Sequence, residues 1–348
     1  MKRTLAAVAA ACGGSLQGED REFGAVSSDT RTLEAGDLFV ALKGPRFDGH
    51  DFLNVCVSNA AAGAIVSQPL AMALPQVVVK DTLAALAALA HAWRSQFDVP
   101  VIGVAGSNGK TTVKEMTASI LVRLGPCLAT LGNLNNHIGV PLTLMRLERT
   151  HRSAVIEMGA NRIGDVAGLA AIARPTVGLI TNAGAEHLEG FGSLDGVAQG
   201  EGEMVAALGP QHTAIINADD DYAPLWRRLS NAGRMVTFGL AKQADVRAMG
   251  IEQSVAADDF ALRFDLVVHR ERRAVQLRLA GRHNVGNALA AAAAAHAVGA
   301  SLDAIVNGLA AVRAVKGRLQ RIAAPSDCWV IDDSYNANPS SLRVALEL

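Results

Sequence analysis

The stretch VIGVAGSNGKTTVKEM, residues 101–116, decides the fold. An apolar run enters a loop with Gly103, Gly106 and Gly109 at three-residue spacing, followed by Lys110, Thr111, Thr112 and a segment of helical periodicity. Strand, glycine loop and helix are the context of a phosphate-binding loop. Glycines let backbone N–H groups approach phosphate oxygens, the helix N-terminus favours an anion, Lys110 neutralises charge, and Thr111 can reach magnesium. Val104 stands where the usual pattern has Gly or Ala, so the loop is a variant, G-x-x-G-x-x-G-K-T-T. A plain glycine turn with an incidental lysine is the competing reading. Only seven of the 32 Lys+Arg residues are lysines, which makes a chance lysine at this point a poor explanation. Gly106, Ser107, Asn108, Gly109, Lys110, Thr111 and Thr112 are therefore read as nucleotide-binding.

Outward from the loop, near-continuous apolar runs recur: VPVIGVAG (99–106), SAVIEMG (153–159), TVGLITNAG (176–184), TAIINADD (213–220) and RMVTFG (234–239). Runs apolar on both faces suit a covered parallel sheet. Between residues 244 and 280 the pattern changes to alternation, FALRFDLVV and AVQLRLAG around the charged HRERR, which predicts an antiparallel hairpin on a sheet edge. Helices are expected over 81–97, from 284, and over 302–312. Upstream, DLFVAL, GAIVS and QVVVK among turn-rich pieces predict a small α/β domain, and the strand CWVIDD (328–333) begins a third element.

Ligands of an open parallel sheet sit beyond the carboxyl ends of its strands. Glu157 ends one strand, and the stretch NAGAEHLEGFGS with His187 follows another. A carboxylate and an imidazole beside a phosphate loop can serve magnesium directly or through water. A solvated strand end and an ordinary helix-start histidine are the alternatives for each taken singly. Glu201 and Glu203 in QGEGEM are weaker candidates, since helical glutamates are usually solvated. The residues alone reach a magnesium-dependent nucleotide hydrolase or transferase.

Composition narrows the partners. Thirty-two Lys+Arg against 33 Asp+Glu and 4% aromatic residues give no basic stripe for nucleic acid or a membrane surface. Cys12, Cys56, Cys127 and Cys328 lie far apart without a CxxC pair, which argues for a reducing, cytoplasmic setting and against zinc. The opening MKRTLAAVAAACGGSL superficially resembles a secretory signal, but Leu5, Val8 and Leu16 equally line a short helix closed by Gly13-Gly14. No window spans a bilayer.

Taken together, the segments resemble the Mur ligase family of ATP-dependent, amide-forming enzymes of peptidoglycan synthesis, over essentially the whole chain. GSNGKTTVKEM is similar to the family's ATP loop. ATLGNLNNHIGVPLTL, VIEMGANRIGDV and NAGAEHLEGFGS resemble the branch that adds the terminal dipeptide. GRHNVGNALAA, VKGRLQ and DDSYNANPSS resemble the family's adenine-side helix, interdomain hinge and third-domain start, and residues 27–52 resemble the N-terminal uridine-nucleotide module of the two branches acting late in the pathway.

The resemblance implies an α/β architecture. Residues 1–84 form a UDP-substrate domain, 85–313 a P-loop ATPase domain with a mostly parallel sheet and an antiparallel edge, and 314–348 the start of a Rossmann-like third domain. That third domain is expected to be cut short at Leu348. The resemblance implies an enzyme acting on ATP with Mg2+, a UDP-N-acetylmuramoyl-tripeptide and D-alanyl-D-alanine, through an acyl phosphate; a monomer is expected, although nothing in the sequence marks the oligomeric state. Carried over by position, Lys110 holds the β/γ-phosphates, Thr111 and Glu157 serve one magnesium, and His187 serves a second near the acyl phosphate. Ser28, Asp29, Thr30 and Arg31, with Lys43, Asp48 and His50, face the UDP-sugar. Asn133, Asn135 and Asn136 lie near peptide and phosphate. Asn284 and Asn287 face adenine, and Arg318 and Asp333 close ATP against the third domain.

One departure stands out. The family places a lysine, which becomes carbamylated, fourteen residues after the site histidine, and Glu201 occupies that position here. The charge is kept on a shorter arm, so Glu201 reaches metal through water, a small anion fills the gap, or the second metal site weakens. Two other readings stay open: a related amide ligase such as one extending folate, which has no need of residues 27–52, and a homologue that binds ATP and UDP-peptide without ligating.

Overall fold

The computed structural model describes residues 3–241, 243–255, 260–323, 329–335 and 339–346. Cys328 and residues 336–338 of the YNANP element lie outside the described residues. The chain divides into two units. One runs through Asp98 and takes back Leu134–Arg149 and Ala171–Arg174; the other holds Val99–Asn133, Thr150–Ala170 and everything from Pro175 onward.

In the first unit, β1 (Ser15–Gln17), β2 (Val26–Ser27), β3 (Leu38–Val40), β4 (Gly63–Val66) and β5 (Gln76–Val78) form one sheet in the order β1-β5-β4-β3-β2. All pairs are parallel except β1 with β5. The runs DLFVAL and GAIVS supply β3 and β4, whose Phe39, Ala64 and Val66 join Leu33, Leu53 and Cys56 in a core. The N-terminal segment is a helix, Leu5–Cys12, capped by the Thr4 hydroxyl and ended by Gly13 at φ +63°. It packs on the helix Thr82–Arg94. Asp81 caps that helix by accepting from the Leu83 and Ala84 N–H groups. The boundary expected at 84/85 falls inside this helix. Its buried Ala85, Leu86, Leu89 and Ala90 belong to the first unit, so the break comes after Asp98. Cys12, Cys56 and Cys127 are free thiols.

The second unit is built on β6 (Val101–Ala105), β7 (Cys127–Ala129), β8 (Ser153–Glu157), β9 (Val177–Ile180), β10 (Thr213–Asn217), β11 (Arg234–Gly239), β12 (Val246–Val255), β13 (Phe260–Val268) and β14 (Glu271–Leu277). Their order is β14-β13-β12-β11-β10-β9-β6-β8-β7, parallel from β7 through β12 and antiparallel at the β12-β13-β14 edge. The apolar runs and the alternating hairpin thus take the places that their periodicities predict. Ile102 and Val104 point into a core with Val113, Met116, Ile120, Val285 and Leu289, from the helices Lys110–Leu121 and His283–Ala297. Gly103, between them in sequence, faces Met204 of the helix Leu194–Ala206, so β6 is covered on both faces. Beyond these, β15 (Gln320–Ala323) and β16 (Trp329–Asp332) pair antiparallel ahead of the helix Pro339–Leu346. Among the described residues no helix is long and apolar enough to cross a membrane.

This topology locates the site. From β6 the chain goes to β8 and β7 on one side and then to β9 on the other, so the strand order switches at β6. A crevice opens beyond strand carboxyl ends at such a point, and the glycine loop leaves β6 there.

Candidate active site at the carboxyl end of the central strand

The loop after β6 is held in shape by the segment after β9. Ser107 N–H donates to Asn182 O at 2.9 Å, and Asn108 N–H donates to Asn182 Oδ1 at 3.0 Å. The Thr181 hydroxyl donates to Asn108 O at 2.7 Å, and Gly184 N–H donates to the Ser107 hydroxyl at 2.8 Å. Gly106 has φ +119°, and a Cβ there would stand 2.2 Å from Thr181 Oγ1. Gly109, at φ +83°, opens the helix Lys110–Leu121, and a Cβ on it would stand 2.4 Å from Asn287 Oδ1. Both positions favour glycine for conformation, and Gly106, whose Cβ would also meet the Thr181 and Asn182 backbone nitrogens, for space as well. The loop is therefore preformed, and its helix N-terminus is a ready anion site.

The Lys110 ammonium lies over this loop. It donates to Gly106 O, to Ser107 O at 2.9 Å and to Glu186 Oε1 at 3.2 Å. Glu186 escaped the sequence analysis; its signal was its place one residue before His187. His187 is exposed and adopts φ +50° at the start of the short helix Leu188–Phe191. Among the described residues no three His, Cys, Asp or Glu side chains are arranged to hold a metal, so Glu157, His187 and Glu201 do not form one cluster.

Glu157 ends β8 at 2% exposure, and the Thr111 hydroxyl donates to its Oε1 at 3.2 Å while accepting from Arg318 Nη2 at 3.0 Å. A buried carboxylate and hydroxyl beside a phosphate loop are hard oxygen donors. Magnesium is usually held by one or two such groups plus phosphate oxygens and water, so this pair fits Mg2+. Arg318 is steadied by stacking on Tyr335, 4.3 Å from the ring centre. Asp333 accepts from Leu319 N–H at 3.2 Å, with its carboxyl raised by burial. Asn284 donates into Ala280 O, and its Oδ1 accepts from Asn287 Nδ2 at 2.9 Å, which leaves Asn287 Oδ1 beside Gly109.

Glu201 lies beneath the loop at 1% exposure, accepting the Gly106 N–H through Oε2 at 2.6 Å. Burial pushes its carboxyl up to about 7; the Lys110 charge and the Gly106 N–H pull it down, and Glu186 and Glu203 push it further up. Because the folded pKa exceeds the unfolded value, the folded chain holds an extra proton between roughly pH 4.5 and 7. Stability consequently falls as pH rises through that window, by about 3 kcal/mol in all. Glu201→Gln keeps an acceptor for Gly106 and removes the titration. The expected result is a variant of near wild-type stability at about pH 5 and clearly greater stability at about pH 8, read by urea denaturation. The same stability difference at both pH values defeats the assignment.

The expected UDP-sugar residues sit in the first unit. Asp29 takes Arg31 through both carboxylate oxygens, Nε at 2.9 Å and Nη2 at 2.6 Å, and the guanidinium holds its carboxyl down to about 2. Ser28 and Thr30 flank that pair, half-buried. Lys43 lies 3.6 Å from Asp48. His50 Nε2 accepts the Ser67 N–H at 2.9 Å, so its proton is on Nδ1, facing Asp48 Oδ1 at 2.5 Å. Asn133 belongs to the second unit, whereas Asn135 and Asn136 belong to the first. Asn136 Oδ1 accepts from Ile138 and Gly139 N–H, starting the helix Gly139–Leu144, a structural use that the sequence analysis did not foresee.

Residues 104–295 match a family model described as the Mur ligase middle domain. The chain is 44% identical over 346 residues to the UDP-N-acetylmuramoyl-tripeptide--D-alanyl-D-alanine ligase of Escherichia coli (strain K12), covering 99% of this chain and 76% of that protein. It is 41% identical over 329 residues to the enzyme of the same name from Haemophilus influenzae, covering 93% and 70%. Among solved structures, crystal structure I of MurF from Acinetobacter baumannii is similar with a TM-score of 0.93 at 39% identity, covering 100% of this chain and 76% of that one. MurF ligase from Thermotoga maritima in complex with ADP is similar with a TM-score of 0.82 at 27% identity, covering 93% and 74%.

Proposed function

The chain belongs to the Mur ligase family, and on that premise we propose that it joins D-alanyl-D-alanine to the terminal carboxylate of a UDP-N-acetylmuramoyl-tripeptide, splitting ATP to ADP and phosphate. The observation that carries this reading is the buried Thr111–Glu157 pair at the mouth of a preformed glycine loop topped by Lys110. A carboxylate does not accept an amine without activation. One of its oxygens attacks the γ-phosphorus, and ADP leaves with the electron pair of the broken P–O bond. The dipeptide amine then attacks the acyl carbon, phosphate leaves, and the proton shed by nitrogen passes to solvent.

This chain's residues act by position and charge. Loop N–H groups take the phosphate oxygens. Lys110 exchanges Gly106 O, Ser107 O and Glu186 for the β/γ-phosphates. Thr111 and Glu157 hold Mg2+, which when bound offsets charge on the transferring phosphoryl group. Glu201 keeps Gly106 in place, and His187 serves the acyl-phosphate side. Asn284 and Asn287 take the adenine side, and Arg318 and Asp333 close over ATP. The first unit takes the UDP-sugar through Ser28, Asp29, Thr30, Arg31, Lys43, Asp48 and His50, while Asn133, Asn135 and Asn136 serve peptide and phosphate. The working form is a cytoplasmic monomer acting on small molecules.

Phosphate release with ATP, Mg2+, the UDP-tripeptide and D-alanyl-D-alanine, each omitted in turn, tests the reading. Release that requires all four, with the UDP-pentapeptide as product, is expected. Retained ATP binding without pentapeptide overturns it in favour of a non-ligating homologue.

A further inference from the structure

A second lysine lies one turn beyond Thr111 on the same helix, and the chemistry above makes no use of it. The Lys114 side chain is completely buried. Its ammonium donates to the backbone carbonyl of Thr130 at 2.9 Å and to Glu115 Oε1. Thr130, itself 1% exposed, follows β7, and its N–H donates to Val155 O at 3.1 Å. The Thr130 hydroxyl accepts the backbone N–H of Glu157 at 3.0 Å. Glu157 returns to the helix through Thr111 at 3.2 Å. Helix, β7 end and β8 end are thereby tied in a closed ring: Thr111, Glu157, Thr130, Lys114.

A buried ammonium is a costly way to fill a helix–sheet interface that methionine or leucine could fill, and charge-assisted bonds are what offset that cost. Here one bond goes to the Glu115 carboxylate and the other ends on Thr130, whose hydroxyl accepts the backbone N–H of Glu157. We propose that Lys114 is a positioning residue: it anchors Thr130 so that the Thr130 hydroxyl fixes where β8 ends and where the Glu157 carboxylate points. The proposal rests on the Mg2+–ATP reading of the Thr111–Glu157 pair for its catalytic consequence, and on the ring alone for its structural one. Removal of an outer partner of a metal-side carboxylate typically costs about 10- to 100-fold in metal affinity or activity.

The test combines Lys114→Met, Thr130→Val, Thr130→Ser and the double variant Lys114→Met/Thr130→Val in the full chain. Amide hydrogen exchange at Glu157, measured without metal or nucleotide, reads the ring directly. It is expected to speed up by about tenfold or more in Lys114→Met and in Thr130→Val, and to stay near wild type in Thr130→Ser, which keeps the hydroxyl. In ligation assays the Mg2+ concentration for half-maximal rate is expected to rise by about tenfold in each single variant and little further in the double, because both break one circuit. Unchanged Glu157 exchange in folded Lys114→Met overturns the proposal. Should that variant not fold, equal exchange in Thr130→Val and Thr130→Ser overturns it. A wild type that forms no pentapeptide defeats the ligase reading while the exchange measurements still decide the ring.

Discussion

Lys110→Met is expected to leave the chain folded and to lower kcat/KM for pentapeptide formation by about a thousandfold or more. The ammonium reaches over the loop, touching Gly106 O, Ser107 O and Glu186 while its side chain is only 14% exposed. Methionine keeps the length and apolar stem but supplies no charge to a phosphoryl group in transfer, and charge is most of what a protein contributes to that reaction. Folding survives because the β6 strand, the Thr181–Gly184 braces and the helix Lys110–Leu121 do not depend on the ammonium. The stability that is lost comes from Glu186, 10% exposed and deprived of its cation, and from Glu201, whose carboxyl loses its largest downward influence and rises further. ADP release measured beside urea denaturation separates the two effects. A variant within tenfold of wild type removes Lys110 from the phosphates.

How much of this was readable in the sequence depends on how local each signal is. Periodicity reports whether an element is buried on one face or two, so the strands at residues 101–105, 153–157, 177–180 and 213–217 and the edge hairpin were legible. Periodicity does not report which unit an element joins. The helix Thr82–Arg94 looked like the start of the ATPase domain, yet its leucine face completes the first unit, and Leu134–Arg149 returns to that unit from within the second. The site divides in the same way. Gly106 to Thr112 declare themselves by spacing, because the loop's chemistry is contiguous. The Lys110–Glu186 pair joins residues 76 apart, and the Lys114–Thr130 bond spans two elements; no local pattern marks either. Asn136, attributed to the substrate side, also has a local duty that no spacing announces: it starts a helix.

Glu157→Gln is expected to separate stability from activity. The amide matches the carboxylate in shape, keeps an oxygen for the Thr111 hydroxyl, and leaves the backbone N–H of residue 157 on the Thr130 hydroxyl. At 2% exposure a neutral group is easier to bury than a charged one, so the melting temperature should hold or rise. Catalysis should move the other way. An amide oxygen is a weak ligand for Mg2+ beside a triphosphate, and the predicted loss is about 100- to 1,000-fold in kcat, with the Mg2+ requirement raised and ATP binding in the absence of metal little changed. Arg318 sharpens the expectation, since its guanidinium already donates to Thr111 and a neutral residue 157 leaves that positive charge less balanced at the point where the metal must enter. Rates measured across a Mg2+ titration, with thermal melts of the same samples, give both halves. Parallel losses of stability and rate make Glu157 a structural residue, and an unchanged Mg2+ midpoint takes the metal away from this pair.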